Sequence, residues 1–422
     1  MRLTFASLLL GAGLLPLGAT AAQPNGPWIN EQQQVSLEGF MSNAQLYDQL
    51  AGLARRSGGS LTLEQAGSSG EGRPIWLARL GQTGNPAVMI ITQQHGNEPH
   101  GTEAALDLMR KLAAGGAFSR QVLDHLQVIF IPRVNPDGTA RASRGNMDFS
   151  APQTSATCLR DDGSVDPQRL DQGLGANVTA YTAENGERRW SYDINRYHWP
   201  DWSQSPQILC NPGLADQRHF DPGLNPVPEA VAVRNAYDKY QPMWLVDVHN
   251  QNPAVVLDEA DPEANRPGRQ VTGSIVWPTN AAVAPAAVAL SKQMALVMKK
   301  RSMQLGNMEI TNYYYERPDG SIRRGGGDPG IARNAYALLA SERLASGAEG
   351  PLGGNILMEI TGLNSRGQKS KGMLRNNVRE MLEALLVATA DGSLLTQDPA
   401  ETDRLLPPGQ EVDEPLDNPH EE

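Results

Sequence analysis

Four short stretches constrain this chain more than anything else in it. AVMIIT (87–92), LQVIFIPRV (126–134), MWLVDVH (243–249) and NILMEIT (355–361) are almost unbroken apolar runs. A strand of that composition must be covered on both faces, because a strand with one wet face alternates apolar and polar residues. Between the runs lie segments of helical period: TEAALDLMRKLAAGG, EAVAVRNAYDKY, PAAVALSKQMALVMKKRSMQLG and NAYALLASERLASG, with a last helix at 373–390. Strands alternating with helices predict one α/β domain with a twisted, mostly parallel mixed sheet flanked by helices on both faces.

The chain is 422 residues long with 40% apolar composition, enough for one large core. The net charge of −11 and the absence of any basic run argue against nucleic acid or an anionic membrane surface as a partner. Residues 1–22 read as a secretory signal peptide: Arg2, an apolar run too short to anchor in a bilayer, then an A-x-A pattern at Ala19 and Ala21. The expected location is therefore periplasmic or extracellular, without a permanent membrane anchor, and the expected state is a monomer. Residues 23–60 form an N-terminal segment with a short helix carrying Leu46, Leu50 and Leu53. The main domain is expected over 61–393, with a large structured insertion at about 139–225. An acidic, Pro-rich tail, 394–422, is expected to be disordered. Cys158 and Cys210 are the only cysteines, and in an oxidising compartment such a pair reads as a disulfide.

In open α/β sheets ligands bind beyond the carboxyl ends of the strands. Here that rim gathers TQQHGNEPHG (92–101), NPDG (135–138), His249 and Glu359. The first of these admits three readings: a turn, a solvated loop, or half of a metal site. A catalytic zinc takes three His, Asp or Glu donors and keeps one position open. His95 and Glu98 in a turn, with His249 from a distant strand, fit that pattern; His100 could be offered instead, but it sits where the next helix begins, would point away and reads as a spectator.

Taken in order, HGNE, NPDG, DINR (193–196), DVH (247–249) and a glutamate in a late strand resemble the M14, carboxypeptidase A-like, zinc carboxypeptidases. GSSGEGRPIW (67–76) resembles the segment before the first zinc ligands of that family. The resemblance spans about 65 to 365. It implies one zinc ion on His95, Glu98 and His249, with Glu359 as general base. It also implies that Asn195 and Arg196 grip the terminal carboxylate of a peptide substrate and that Asp193 orients His95. An oxyanion-stabilising arginine is expected after NPDG. Arg144, in Arg-Gly-Asn, is preferred to Arg141, which is kept as a substrate-binding candidate. For a phenolic donor Tyr315 is chosen over Tyr313, Tyr314 and Tyr336. Thr361 departs from the family, which often has arginine two positions after the base.

The implied activity is an exported metallocarboxypeptidase that hydrolyses the C-terminal bond of peptides with a free carboxylate. A cell-wall peptide-trimming enzyme, a zinc amidohydrolase or deacylase, and an inactive zinc- or peptide-binding module are the alternatives. Arg323, Arg324 and Arg333 raise the idea of an acidic substrate side chain, against a solvated arginine face.

Overall fold

The computed structural model describes residues 39–146, 148–149, 178–182, 186, 188–205, 225–251, 254–256, 269–316, 322–323, 326–347, 353–361, 371–406 and 408–411. The expected signal peptide, Cys158 and Cys210 lie outside these residues, as do the side chain of Tyr315 and those of Arg323 and Arg324.

Helix α1 (Asn43–Arg56) starts at a capping box in which Ser42 and Gln45 satisfy each other's backbone N–H. Its Leu46, Leu50 and Leu53 are buried in the main core, so this helix is part of the domain. Strands β1 (Leu61–Ser68) and β2 (Pro74–Leu80) form the hairpin around the glycine turn. They are followed by β3 (Ala87–Thr92), α2 (His100–Ala113), α3 (Ala117–Leu123), β4 (Gln127–Ile131) and α4 (Pro136–Arg141). The expected NPDG turn is the start of α4, with Asn135 as its N-cap.

Within the insertion, β5 (Asp148–Phe149), β6 (Val178–Thr182) and β7 (Arg188–Tyr192) make a separate antiparallel sheet in the order β5-β7-β6. Then come α5 (Pro228–Tyr240), β8 (Trp244–Gln251), β9 (Ala254–Val256), β10 (Arg269–Val271) and β11 (Gly273–Val276). The chain continues through α6 (Pro285–Leu305), β12 (Ile310–Glu316), β13 (Ile322–Arg323), α7 (Ala332–Ala345), β14 (Gly354–Thr361), α8 (Lys371–Ala390), α9 (Pro399–Leu405) and β15 (Pro408–Glu411).

The large sheet runs β1-β2-β4-β3-β8-β14-β11-β12-β15-β9-β10, with β13 beside β12. Its centre, β4-β3-β8-β14, is parallel, and these are the four apolar runs. Antiparallel pairings occur on both sides of that centre: β1-β2 and β2-β4 on one, β14-β11 and β15-β9 on the other. The sheet is therefore mixed. One face packs on α1, α2, α6 and α8 through Leu106, Met109, Met298 and Leu382; the other packs on α5 and α7 through Val233, Tyr237 and Tyr336. Every residue of β3, β4, β8 and β14 is buried.

The tail departs from expectation. It is ordered from 394 to 406 and again over 408–411. Asp398 caps α9 by accepting from the Ala400 N–H, and Thr402 is fully buried and donates to the Lys292 carbonyl. Two of the acidic residues that suggested disorder are matched by lysines of α6. Lys300 reaches Glu401 at 2.8 Å and Lys292 reaches Asp403 at 2.7 Å. Beyond them, β15 joins the sheet between β12 and β9. Composition counts charges without seeing their partners, which here come from a helix about a hundred residues earlier.

Candidate metal centre

After β3 the chain turns sharply. Gln93 takes the left-handed backbone conformation (φ 55°), and its side chain holds it there. Its Oε1 accepts from Thr102 Oγ1 (2.7 Å) and Arg133 Nε (2.8 Å), while Nε2 donates to the Gly96 carbonyl (2.9 Å). Gly96 lies directly on the backbone of Gly138, where a Cβ would overlap Gly138 and Thr139. Asn135 fixes this contact. Its Oδ1 caps Gly138 N–H (2.7 Å), and its Nδ2 donates to the carbonyls of Gln94 (3.0 Å) and Gly145 (3.1 Å). Asp137 accepts from Ser69 Oγ, Glu71 N and Arg73 at 2.6–2.9 Å, tying in the hairpin turn. The spaced motifs of the sequence are thus one interlocked cluster of loops.

On it, His95, Glu98 and His249 meet. His95 Nδ1 lies 2.8 Å from Glu98 Oε1, His249 Nδ1 lies 3.0 Å from Glu98 Oε2, and the two Nδ1 atoms are 3.0 Å apart. The outer nitrogens face carboxylates: His95 Nε2 is 3.0 Å from Asp193 Oδ1, and His249 Nε2 is 2.9 Å from Asp247 Oδ2. An ionised carboxylate only accepts, so each Nε2 carries a proton, and each Nδ1 is the nitrogen turned inward, open to a proton or to a metal ion. Two such nitrogens and a carboxylate, converging in a site at most 3% exposed, favour a positive charge among them, and a metal ion can supply it in place of a proton. Two imidazoles and one carboxylate, each oriented from behind, suit zinc.

The electrostatics agree. Burial would raise the Glu98 carboxyl, but the two histidines overcome it and hold Glu98 well below its usual value. Burial works against charge on His249, yet Asp247 and Glu98 hold its pKa well above the usual one, so a proton binds tightly where a metal would sit.

Around this set, Arg144 donates to Asp193 Oδ2 through Nε (3.1 Å) and Nη2 (2.9 Å), and its Nη1 is 3.5 Å from Glu98. Glu359 pairs in register with His249 across β14 and β8. It is 7% exposed, and its Oε2 has no partner among the described residues. Burial chiefly, with Glu98 nearby, pushes its carboxyl up to about 7, against the pull of His249 and Arg144. Asn195 sits in the turn Ile194–Arg196, capped by Asp193. Its Oδ1 accepts from Ala332 N (2.9 Å), and its Nδ2 is 3.4 Å from His249 Nε2. Arg196 donates to the Asn195 carbonyl and remains partly exposed.

Two expectations need correction. Arg141 is not brought to the site: its guanidinium binds Glu71 and the Asn146 carbonyl, because α4 turns it toward the hairpin side. Arg333 is 3% exposed and donates to the Gly326 carbonyl, so it does not belong to a solvated arginine face. His100, where the helix begins, points away from the donor set as expected. Its Nδ1 meets Asn250 Nδ2 at 2.8 Å, and Phe40 packs edge-on to its ring. Tyr336 is buried, in keeping with its reading as a packing residue, and its hydroxyl lies 2.9 Å from His198 Nδ1. Asp247, Gln94 and His198 escaped the sequence reading. For Asp247 a signal existed, since residues two apart on a strand share a face.

An α/β sheet that carries a His/Glu/His donor set and one more buried carboxylate at its carboxyl rim defines a metal-dependent hydrolase architecture. The chain belongs to the zinc carboxypeptidase family (Peptidase_M14), whose model matches residues 46–321. Glu359 lies beyond that match. Among curated relatives, carboxypeptidase E of Caenorhabditis elegans is 29% identical over 141 residues, which is 31% of this chain and 30% of that protein. Carboxypeptidase D of Homo sapiens is 28% identical over 131 residues, 29% of this chain and 10% of that protein. The matches thus span less than a third of these relatives' length. The carboxypeptidase A of Helicoverpa armigera superposes with a TM-score of 0.53 at 16% identity, over 86% of this chain and 76% of that one, and so shares the fold.

Proposed function

We propose that the protein is an exported, monomeric zinc metallocarboxypeptidase that hydrolyses the C-terminal bond of peptides. One observation carries the reading: two inward-facing imidazole nitrogens and a carboxylate converge, with Glu359 as a further buried carboxylate on the adjoining strand. Bound zinc would polarise the scissile carbonyl and make water acidic enough to be deprotonated near neutral pH.

The chain's own residues supply the rest. Asp193 and Asp247 hold the two imidazoles with Nδ1 inward. Glu359 has a carboxyl poised by burial to exchange protons near neutrality; it takes the proton of the attacking water and delivers it to the leaving amine. Arg144 places a permanent charge beside Glu98 and Asp193 and is the donor to the oxyanion. Asn195 and Arg196 bind the free terminal carboxylate, for which a guanidinium fork is suited. Export rests on the character of residues 1–22.

The test compares one peptide with a free and with an amidated C-terminus, alongside the zinc content of the purified protein. Near-stoichiometric zinc and cleavage confined to the free acid are expected. Equal cleavage of both would point to an amidase or endopeptidase instead.

A further inference from the structure

We propose that Gln94 and His198 are positioning residues for the metal ligand His249, acting through Asp247 in a buried relay that ends at Tyr336. The proposal rests on the reading of His95, Glu98 and His249 as a zinc site. Its geometry stands independently of that reading.

Gln94 is fully buried, and its amide bridges two segments. Nε2 lies 2.5 Å from Asp247 Oδ2, the same oxygen that receives His249 Nε2 at 2.9 Å. On its other side Oε1 lies 2.6 Å from His198 Nε2, and His198 Nδ1 lies 2.9 Å from the Tyr336 hydroxyl. The direction of every bond follows from the first. A carboxylate accepts only, so Gln94 presents its NH2 to Asp247 and its carbonyl to His198. His198 Nε2 must then carry the proton, which leaves Nδ1 to accept from Tyr336. All of these groups are at most 3% exposed, so water is a poor substitute for a lost partner. Burial, partly offset by Asp247, pushes His198 down to about 4, which keeps the ring neutral and the relay in this polarity near pH 7.

The relay joins three segments that arrive independently at the rim to a fourth, the helix α7 that carries Tyr336. Gln94 precedes His95 on the loop after β3, Asp247 and His249 lie on β8, and His198 follows Asn195 and Arg196. His198 N–H is itself held by the Gly330 carbonyl (3.0 Å). By fixing Asp247 Oδ2, the relay sets the ring orientation of His249 and keeps a proton on Nε2, which makes Nδ1 the nitrogen offered to the metal. A packing role alone would require none of these bond directions.

The experiment measures zinc affinity by chelator competition, the cobalt(II) absorption spectrum and the metal-free melting temperature for wild type, Gln94→Met and Tyr336→Phe. Gln94→Met should weaken zinc by about tenfold, the low end of the range for outer partners of metal ligands, and Tyr336→Phe, further along the relay, by less, about threefold. The cobalt bands should shift, and the metal-free melting temperature of Tyr336→Phe should stay near wild type. Zinc affinities within twofold of wild type, with unchanged cobalt bands, would overturn the proposal, even if melting temperatures fell. Should Gln94→Met fail to fold, Tyr336→Phe decides, since it keeps the ring and removes one hydroxyl. If wild type binds no zinc, the metal reading fails, and histidine 15N NMR judges the relay alone: a proton on His198 Nδ1 overturns it, and a proton on Nε2 upholds it.

Discussion

Glu359 and His249 are register partners across the parallel pair β14 and β8, the two central strands that end at the site. Partner positions on adjacent strands are about 4.8 Å apart, and equal pleat phase sends both side chains to one face. The carboxyl therefore stands beside the donor set without belonging to it. Glu359→Gln keeps the shape and removes the base. Zinc content should remain near wild type while kcat falls by about 10²–10⁴-fold, the usual contribution of a general base. Metal analysis and peptide hydrolysis on one preparation check it; normal turnover would remove Glu359 from the mechanism.

Arg144 and Arg141 are three residues apart in sequence and face different partners. Arg144→Met should lower kcat/KM by about 10²–10³-fold, as expected for a lost oxyanion donor. Arg141→Met, which breaks contacts to Glu71 and Asn146, should leave kcat/KM within about threefold and act mainly on stability, by about 1 kcal/mol. Steady-state kinetics and melting of both variants separate the two. Reversed effects would mean that the guanidinium near Glu98 is not the one used.

Metal affinity should rise with pH. In the metal-free protein Asp247 and Glu98 outweigh burial and hold the His249 pKa above its unfolded value, so the folded state binds that proton more tightly. The associated stability is complete below about pH 6.5 and is lost as pH climbs through the folded pKa. Zinc requires the bare nitrogen and must expel the proton, so affinity increases by up to about tenfold per pH unit in that window. Glu359, raised to about 7, adds a second proton to be released below neutrality, because a nearby cation favours its ionised form. Chelator competition at pH 6, 7 and 8 measures this, and a flat profile would contradict it.

Gly96 and Gly138 touch backbone to backbone. Gly96→Ala should destabilise the fold by about 2 kcal/mol or more, since the new Cβ meets main chain that has no rotamer to yield. Zinc binding should weaken with it, because the overlap pushes on the loop between His95 and Glu98. Gly116→Ala, in open space at ordinary φ, is the control and should change stability by no more than about 0.5 kcal/mol. Equal melting of the two variants would show that the close approach carries no energetic weight.

Much of the fold was legible because the four apolar runs admit few alternatives, and Leu46, Leu50 and Leu53 or Met294 and Met298 mark helical faces by spacing alone. What escaped depended on partners remote in sequence. Nothing near Asp398 reveals that Lys292 and Lys300 lie beside α9. The few residues of β5, β6 and β7 carry no periodicity long enough to read. At the site, His95, Glu98 and His249 could be named as candidate donors, which the structure brings together, and Arg144, preferred to Arg141, lies beside them. Gln94 and His198 could not be found, since a buried amide and a neutral imidazole look like any loop residues until Asp247 and Tyr336 stand on either side.

The sequence by itself determined a parallel strand centre, the helices that cover it and the donor types at its rim. Those are properties of composition and period, which act over a few residues. Only the tertiary structure decided which nitrogen of each histidine turns inward, which arginine reaches Glu98, and that the acidic tail docks on α6. Most of those depend on hydrogen bonds and ion pairs between segments remote in sequence, such as His95 with Asp193 or Lys292 with Asp403, whose directions exist only once Asp193, Asp247 and the lysines of α6 have been brought into place.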